Sequence, residues 1–177
     1  MPDPSPNPIP NPGATDADAD AEADSDTHTD TAVRRDPNCP FCAIVAGDAP
    51  AERILETENL VAFLDVRPLF RGHTLLIPKT HLRLLSDLPA ALAAEFLTTT
   101  QRLERAVEDG LAAAGSMILV NNVVSQSVPH LHLHVIPRNP KDGLRFWLGP
   151  RQPYDAAHPA EEYAAKIRAA LPPPFIR

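Results

Sequence analysis

No run of apolar residues in this 177-residue chain approaches the roughly 20 needed to cross a bilayer. The opening MPDPSPNPIP also lacks both the basic start and the apolar stretch of an export signal. A membrane-spanning helix is excluded on this reading, and the expected location is cytoplasmic. Aromatic residues are missing altogether from residues 1–36, where nine acidic residues stand against two arginines and six positions are proline. Such a segment has too little apolar surface to offset the entropy of ordering it, so a disordered tail is expected there. An excess of basic charge is missing too. Setting aside the tail's nine acidic and two basic residues leaves 14 of each sign in residues 37–177, and the net charge of -7 belongs to the tail. A neutral domain offers no basic field for nucleic acid, whereas a free nucleotide needs only one local site. No internal repeat is visible.

What is present from residue 37 onward is regular punctuation. RILETENLVAFLDV (53–66) reads as two short strands around a turn at Glu58 and Asn59, and GHTLLIP (72–78) as a third, entered through Gly72 and closed by Pro78. Pro89 near one end, Gly115 past the other, and apolar residues at Leu92, Phe96, Leu103, Val107 and Leu111 predict a long amphipathic helix over 88–114. Its opposite face carries Glu95, Arg102, Arg105 and Glu108. SMILVNNV (116–123) reads as a strand, HLHLHVIP as its partner, and a final helix is expected over 159–171 with Tyr163, Ile167 and Leu171 on one stripe. The order of elements predicts an α+β domain over 37–177: an antiparallel sheet, one long helix, short terminal helices and a C-terminal extension.

SVPHLHLHVIP (127–137) sets three of the chain's seven histidines at every second position. Successive side chains of a strand point to opposite faces, so His130, His132 and His134 share one face and Leu131, Leu133 and Val135 the other. A merely solvated face would draw on Thr, Lys, Glu and Ser as freely as on His. A catalytic or metal-binding face is the stronger reading, because imidazole serves as neutral nucleophile, acid and metal ligand near neutral pH. The only two cysteines form CPFC (39–42). A dithiol redox site would follow a buried strand, and here a proline-rich acidic stretch precedes it. Zinc fits better, with Cys39 and Cys42 needing two further ligands and His81 and His130 to spare; a plain pair of buried thiols is the other reading.

HLHLHVI has the form His-x-His-x-His followed by two apolar residues, and in this it resembles the histidine triad family of nucleotide hydrolases and transferases. The likeness extends through CPFCAIVAGDAPAERILETENLVAFLDVRPLFRGHTLLIPKTH and QSVPHLHLHVIPR, about residues 37–140. The resemblance implies that His132 attacks the α-phosphorus of a nucleotide to form a nucleotidyl-histidine, its ring oriented by a backbone carbonyl, while His134 hydrogen-bonds the phosphate. It places Gln126 and Ser127 at the phosphate or leaving group and His73 beside the site. Asp65 would accept from the ribose hydroxyls, Asn122 would face the substrate, and Phe41, Ile44, Phe63, Val66 and Leu75 would form a slot for the base. For each of these five, ordinary core is the other reading of the residue type, and for Phe63 and Leu75 it is the favoured one.

The same resemblance makes Cys39, Cys42, His81 and His130 the ligands of a closed, structural zinc, with no organic cofactor, and implies a homodimer. One departure is plain: the loop NNVVSQSV is shorter than the family's glycine-rich equivalent and has no glycine. DGLRFWLGPRQPY lies beyond the shared motifs, and its Arg145, Trp147 and Arg151 either line the leaving-group side or close the core. The expected activity is cleavage of the α-phosphate linkage of a phosphoramidate, dinucleoside polyphosphate or similar nucleotide. The rival readings are a nucleotide-binding or sensing module with little turnover, and a dithiol redox protein.

Overall fold

The computed structural model of the chain describes residues 34–144 and 152–172. Of the tail expected over 1–36, only the last three residues fall within it, and Arg145, Trp147 and Arg151 lie outside the described residues. The fold is α+β. In chain order it runs through helix α1 (Pro40–Ala46), strands β1 (Arg53–Glu56), β2 (Leu60–Leu64) and β3 (Thr74–Pro78), and the long helix α2 (Ala90–Leu111). Strands β4 (Gly115–Val120) and β5 (Leu133–Arg138) and helix α3 (Ala160–Ala170) complete it. The strands form one antiparallel sheet in the order β1-β2-β3-β5-β4. No described helix is long and apolar enough to cross a membrane.

The two-residue period of the strands divides the core between the sheet's faces. Leu60 and Ala62 of β2, Leu76 of β3, and Leu133 and Val135 of β5 pack with Phe96, Leu103 and Val107 of α2. Val61 and Phe63 of β2 and Leu75 and Ile77 of β3 face the other way, against Cys39, Phe41, Cys42 and Ile44 around α1. In the β3/β5 ladder Leu75 stands opposite His134, which puts that histidine on the α1 face. The α2 face is therefore apolar filling, and the α1 face is where polar chemistry can collect. Glu95 of α2 ties the helix to the turn between β1 and β2, accepting from Thr57 Oγ1 at 2.6 Å and from Asn59 Nδ2 at 2.9 Å.

Element ends show where local signals were overruled. Pro40 sits in the first turn of α1, and Gly47, at φ 87°, ends that helix with its N–H on the carbonyls of Ala43 and Ile44. The long helix is shorter than expected over 88–114: Leu88 closes a 3₁₀ turn, Leu85–Asp87, and Ala112 turns left-handed at φ 51°. Leu111, expected on the buried stripe, is half exposed, whereas Thr99 and Thr100 are buried. Thr100 can be buried because its hydroxyl donates to the Phe96 carbonyl at 2.8 Å. The strand expected over 116–123 stops at Val120. The histidine strand begins at Leu133 and not His130, since the Leu131 amide donates to Leu82 O, 2.6 Å away in the loop after β3. The expected final helix is present, but its stripe of Tyr163, Ile167 and Leu171 is exposed and α3 has no buried residue.

Candidate functional site

Cys39 immediately precedes α1 and Cys42 lies in its first turn, so both thiols leave one end of a short helix. The loop after β3 brings in His81, and the extended run before β5 brings in His130. His130 Nδ1 is 3.4 Å from Cys39 Sγ and 3.7 Å from Cys42 Sγ, and His81 Nδ1 is 3.3 Å from Cys42 Sγ. All four donor atoms lie within 4.8 Å of one another. Zinc at its usual bond lengths to sulfur and nitrogen has tetrahedral edges of about 3.6 Å, so this donor set fits a closed tetrahedral thiolate and imidazole site.

The surroundings suit the same ion. His130 Nε2 donates to Pro78 O at 2.9 Å, which leaves Nδ1 with the lone pair that a metal needs. The Asp36 amide reaches Cys42 Sγ at 3.4 Å, and the His81 amide donates to Arg34 O at 2.7 Å. Burial pushes the Cys39 thiol above its ordinary range. A thiolate there calls for a compensating cation.

His132 Nδ1 is 2.6 Å from the carbonyl oxygen of His130. A carbonyl only accepts, so the proton of the neutral ring lies on Nδ1 and the lone pair on Nε2. The Phe41 ring stands edge-on to His132 with centroids 5.3 Å apart, and the His134 ring centroid is 4.9 Å from that of His132. A solvated histidine face is excluded: His130 is 0% and His132 3% exposed. Behind His134 lies His73, whose Nε2 is 2.8 Å from His134 Nδ1. The Leu69 amide is 3.2 Å from His73 Nδ1, and Asp65 Oδ2 is 3.6 Å from that same atom. Burial lowers the His134 pKa to about 4, helped by the neighbouring His132 and His73, and lowers that of His73 against the opposing pull of Asp65.

A cleft of about 630 Å³ opens over these rings. Its apolar lining includes Phe41, Ile44, Phe63, Val66 and Leu75, and its polar lining includes Asp65, Ser127, His132 and His134. Phe63 and Leu75 are at once core and cleft wall. Asn122 and Gln126 are not among the residues that line it. Asn122 Oδ1 accepts from the Leu85 amide at 3.0 Å. Gln126 accepts from the Val123 amide at 3.1 Å and donates to Arg83 O at 2.7 Å. Both side chains therefore fasten the loop before Ser127 to the turn ahead of α2. That loop holds Val123 at φ 66° and Ser125 at φ 62°, left-handed positions that glycine adopts without strain and a β-branched valine does not. Arg67 is the one basic residue among those lining the cleft, and sequence reasoning missed it. Its only signal was its place two residues after Asp65.

The HIT domain family model matches residues 46–141. The chain is similar to an adenosine 5'-monophosphoramidase of Schizosaccharomyces pombe, 34% identical over 136 residues that take in 74% of this chain and 99% of that protein. Among solved structures it is similar to a HIT family protein from Bacillus subtilis, at 35% identity and a TM-score of 0.68, over 76% of this chain and 98% of that one. It is also similar to a zinc-bound histidine triad family protein from Mycobacterium smegmatis, at 46% identity and a TM-score of 0.58, over 75% and 92% of the two chains.

Proposed function

The chain belongs to the histidine triad family, and on that premise we propose that it cleaves the α-phosphate linkage of a nucleotide through a nucleotidyl-histidine intermediate at His132. The observation that carries this reading is the hydrogen bond from His132 Nδ1 to His130 O, 2.6 Å long, at the floor of the cleft. It leaves the Nε2 lone pair for attack and places a carbonyl oxygen where the ring becomes positive once Nε2 is bonded to phosphorus. In the first half-reaction the N–P bond to His132 forms while the bond to the leaving group breaks, its electron pair departing with that group, which takes up a proton from solvent. In the second, water oxygen bonds to phosphorus, the N–P pair returns to Nε2 and the water's proton is released.

The remaining roles are supported by which residues line the cleft. We assign the apolar lining of Phe41, Ile44, Phe63, Val66 and Leu75 to a base, Asp65 to the ribose hydroxyls, and Ser127, His134 and Arg67, which line the same cleft, to the phosphate. Zinc held by Cys39, Cys42, His81 and His130 would supply a crosslink and no reacting group. A phosphoramidate substrate is supported by the similarity to the monophosphoramidase of S. pombe. An acceptor other than water would make the enzyme a transferase with the same first half-reaction. A homodimer is in keeping with exposed Leu97 on α2 and exposed Ile118 on β4, the edge strand beside it, and light scattering tests it. Binding with little turnover is the second reading, favoured by one observation: Asn122 and Gln126, both expected at the substrate, are committed to main-chain partners elsewhere.

Brief incubation with adenosine phosphoramidate labelled at the phosphate, followed by alkaline denaturation, separates the two. Label held by the wild type and absent from His132→Ala, with turnover reduced by roughly two to four orders of magnitude, is the expected result. Label carried equally by His132→Ala would move the nucleophile elsewhere, and binding with neither label nor turnover would favour the sensing module.

A further inference from the structure

We infer that His73, held by the main-chain amide of Leu69, is a positioning residue that fixes His134 as a ring protonated on Nε2 and directs that N–H at a non-bridging phosphate oxygen. This rests on the nucleotide site proposed above. The argument begins from a group whose role cannot change. An amide N–H only donates, and the Leu69 amide meets His73 Nδ1 at 3.2 Å, so Nδ1 carries a lone pair. The proton of the neutral His73 ring is then on Nε2, which lies 2.8 Å from His134 Nδ1. His134 Nδ1 must accept, and its own proton is left on Nε2. The opposite assignment of either ring would set two lone pairs or two N–H groups face to face.

Two further observations agree. Burial keeps both rings neutral, with His134 lowered to about 4 and His73 lowered despite Asp65 beside it. Among the described residues, His134 Nε2 is the buried side-chain polar atom that has no hydrogen-bond partner. It belongs to a residue that lines the cleft. A neutral N–H in that place is complementary to an acceptor that carries no hydrogen, and a non-bridging phosphate oxygen is such a group. The arrangement also limits what His73 can do. While Leu69 N–H occupies Nδ1, no proton can enter His73 from the Asp65 side, so His73 orients His134 and does not feed it protons.

The backbone that holds Leu69 and His73 in place is itself constrained. His73 N donates to Phe70 O at 3.0 Å, closing the turn, and Gly72 sits within it at φ +92°. A Cβ at residue 72 would collide with the Leu111 side chain at the end of α2. The left-handed conformation is what calls for glycine at the residue that precedes His73, since the half-exposed Leu111 side chain could swing aside.

The test is the tautomer of His134, read from long-range proton to nitrogen correlations in histidine-labelled protein without nucleotide. Wild type is expected to show His134 protonated on Nε2 alone at about pH 7. His73→Phe, which removes the donor, should mix the two tautomers, and His73→Gln, whose amide can donate from a similar place, should restore the wild-type pattern. Turnover and nucleotide affinity should fall together in His73→Phe by about 10-fold to 100-fold, with partial recovery in His73→Gln. A wild-type ring protonated on Nδ1, or charged at that pH, would overturn the inference even if His73→Phe failed to fold. So would a His73→Phe spectrum unchanged from wild type. Because the spectrum is read without substrate, it stands apart from the label-trapping result at His132, and the failure of either is distinguishable from the failure of the other.

Discussion

Burial keeps His134 and His73 neutral at a pH where an unfolded chain has begun to protonate its histidines, since both folded values lie below the ordinary 6.5. From 6.5 down to the His134 value of about 4, the unfolded chain binds more protons than the folded one, so stability falls as the pH falls through that window. Below about 4 His134 protonates in the folded state as well and adds no further loss. Glu56, held low by Lys79 and Arg53, and Glu95, held low by Thr57 and Asn59, lose their contribution only below the ordinary carboxylate value of 4.5. The histidines therefore act alone above it. Urea midpoints should decline from about pH 7 to about pH 5, with a shallower slope in His134→Leu, and a flat profile would contradict the burial of these rings. At this scale the sequence was legible where position follows from alternation and motif: His132, His134, Asp65, Phe41 and Ser127 all line one cleft. It was not legible for Gln126 and Asn122, whose partners are main-chain groups at Arg83 and Leu85, some 40 residues back in the chain. No local pattern announces such a fastening.

Helix α1 is the element on which two sites depend. Its N-terminal end carries Cys39 and Cys42, while Phe41 between them and Ile44 one turn on form part of the apolar slot. Anchoring the thiols therefore also anchors the wall against which a base would lie. Protein purified without chelators is expected to contain one zinc per chain. Replacing Cys39 and Cys42 by alanine should lower the melting temperature and weaken nucleotide binding more than it slows the trapped chemical step. Metal analysis that finds no zinc would refute the assignment and leave His130 acting through its carbonyl alone. The helix was foreseeable only through the family resemblance, because seven residues are too few to display a helical period. The strands were foreseeable because β2, β3 and β5 alternate cleanly between two buried faces. Where β5 begins was not. An amide bond from Leu131 to Leu82, set by tertiary contact, draws His130 out of the ladder and toward His81.

At the scale of the whole molecule, we propose that the domain includes residues from Arg34 onward. The Arg34 carbonyl and the Asp36 amide already serve His81 and Cys42, so residues 34–36 belong functionally with the domain. We propose that residues 1–31 are dispensable. A chain starting at Ala32 should keep the melting temperature and turnover of the full chain, whereas one starting at Asn38 should melt lower; loss of turnover on the first truncation would show that the acidic segment takes part in the fold. Tyr163 and Ile167 of α3 and Leu171 at its end have the spacing of one stripe and are exposed; spacing alone does not say whether another element lies opposite. One consequence of the sheet order concerns time. β3 and β5 are neighbours in space, yet His73 and His134 are 61 residues apart in the chain, and Cys39 and His130 are 91 apart. Helix α2 can form from local contacts while these pairings are still open, and non-local closures are the slow ones. During synthesis, three of the four proposed zinc donors must wait for the last to emerge, and a chain that has gained its helix has as yet no cleft. Recovered turnover therefore reports that the final strand has arrived, which recovered helicity does not.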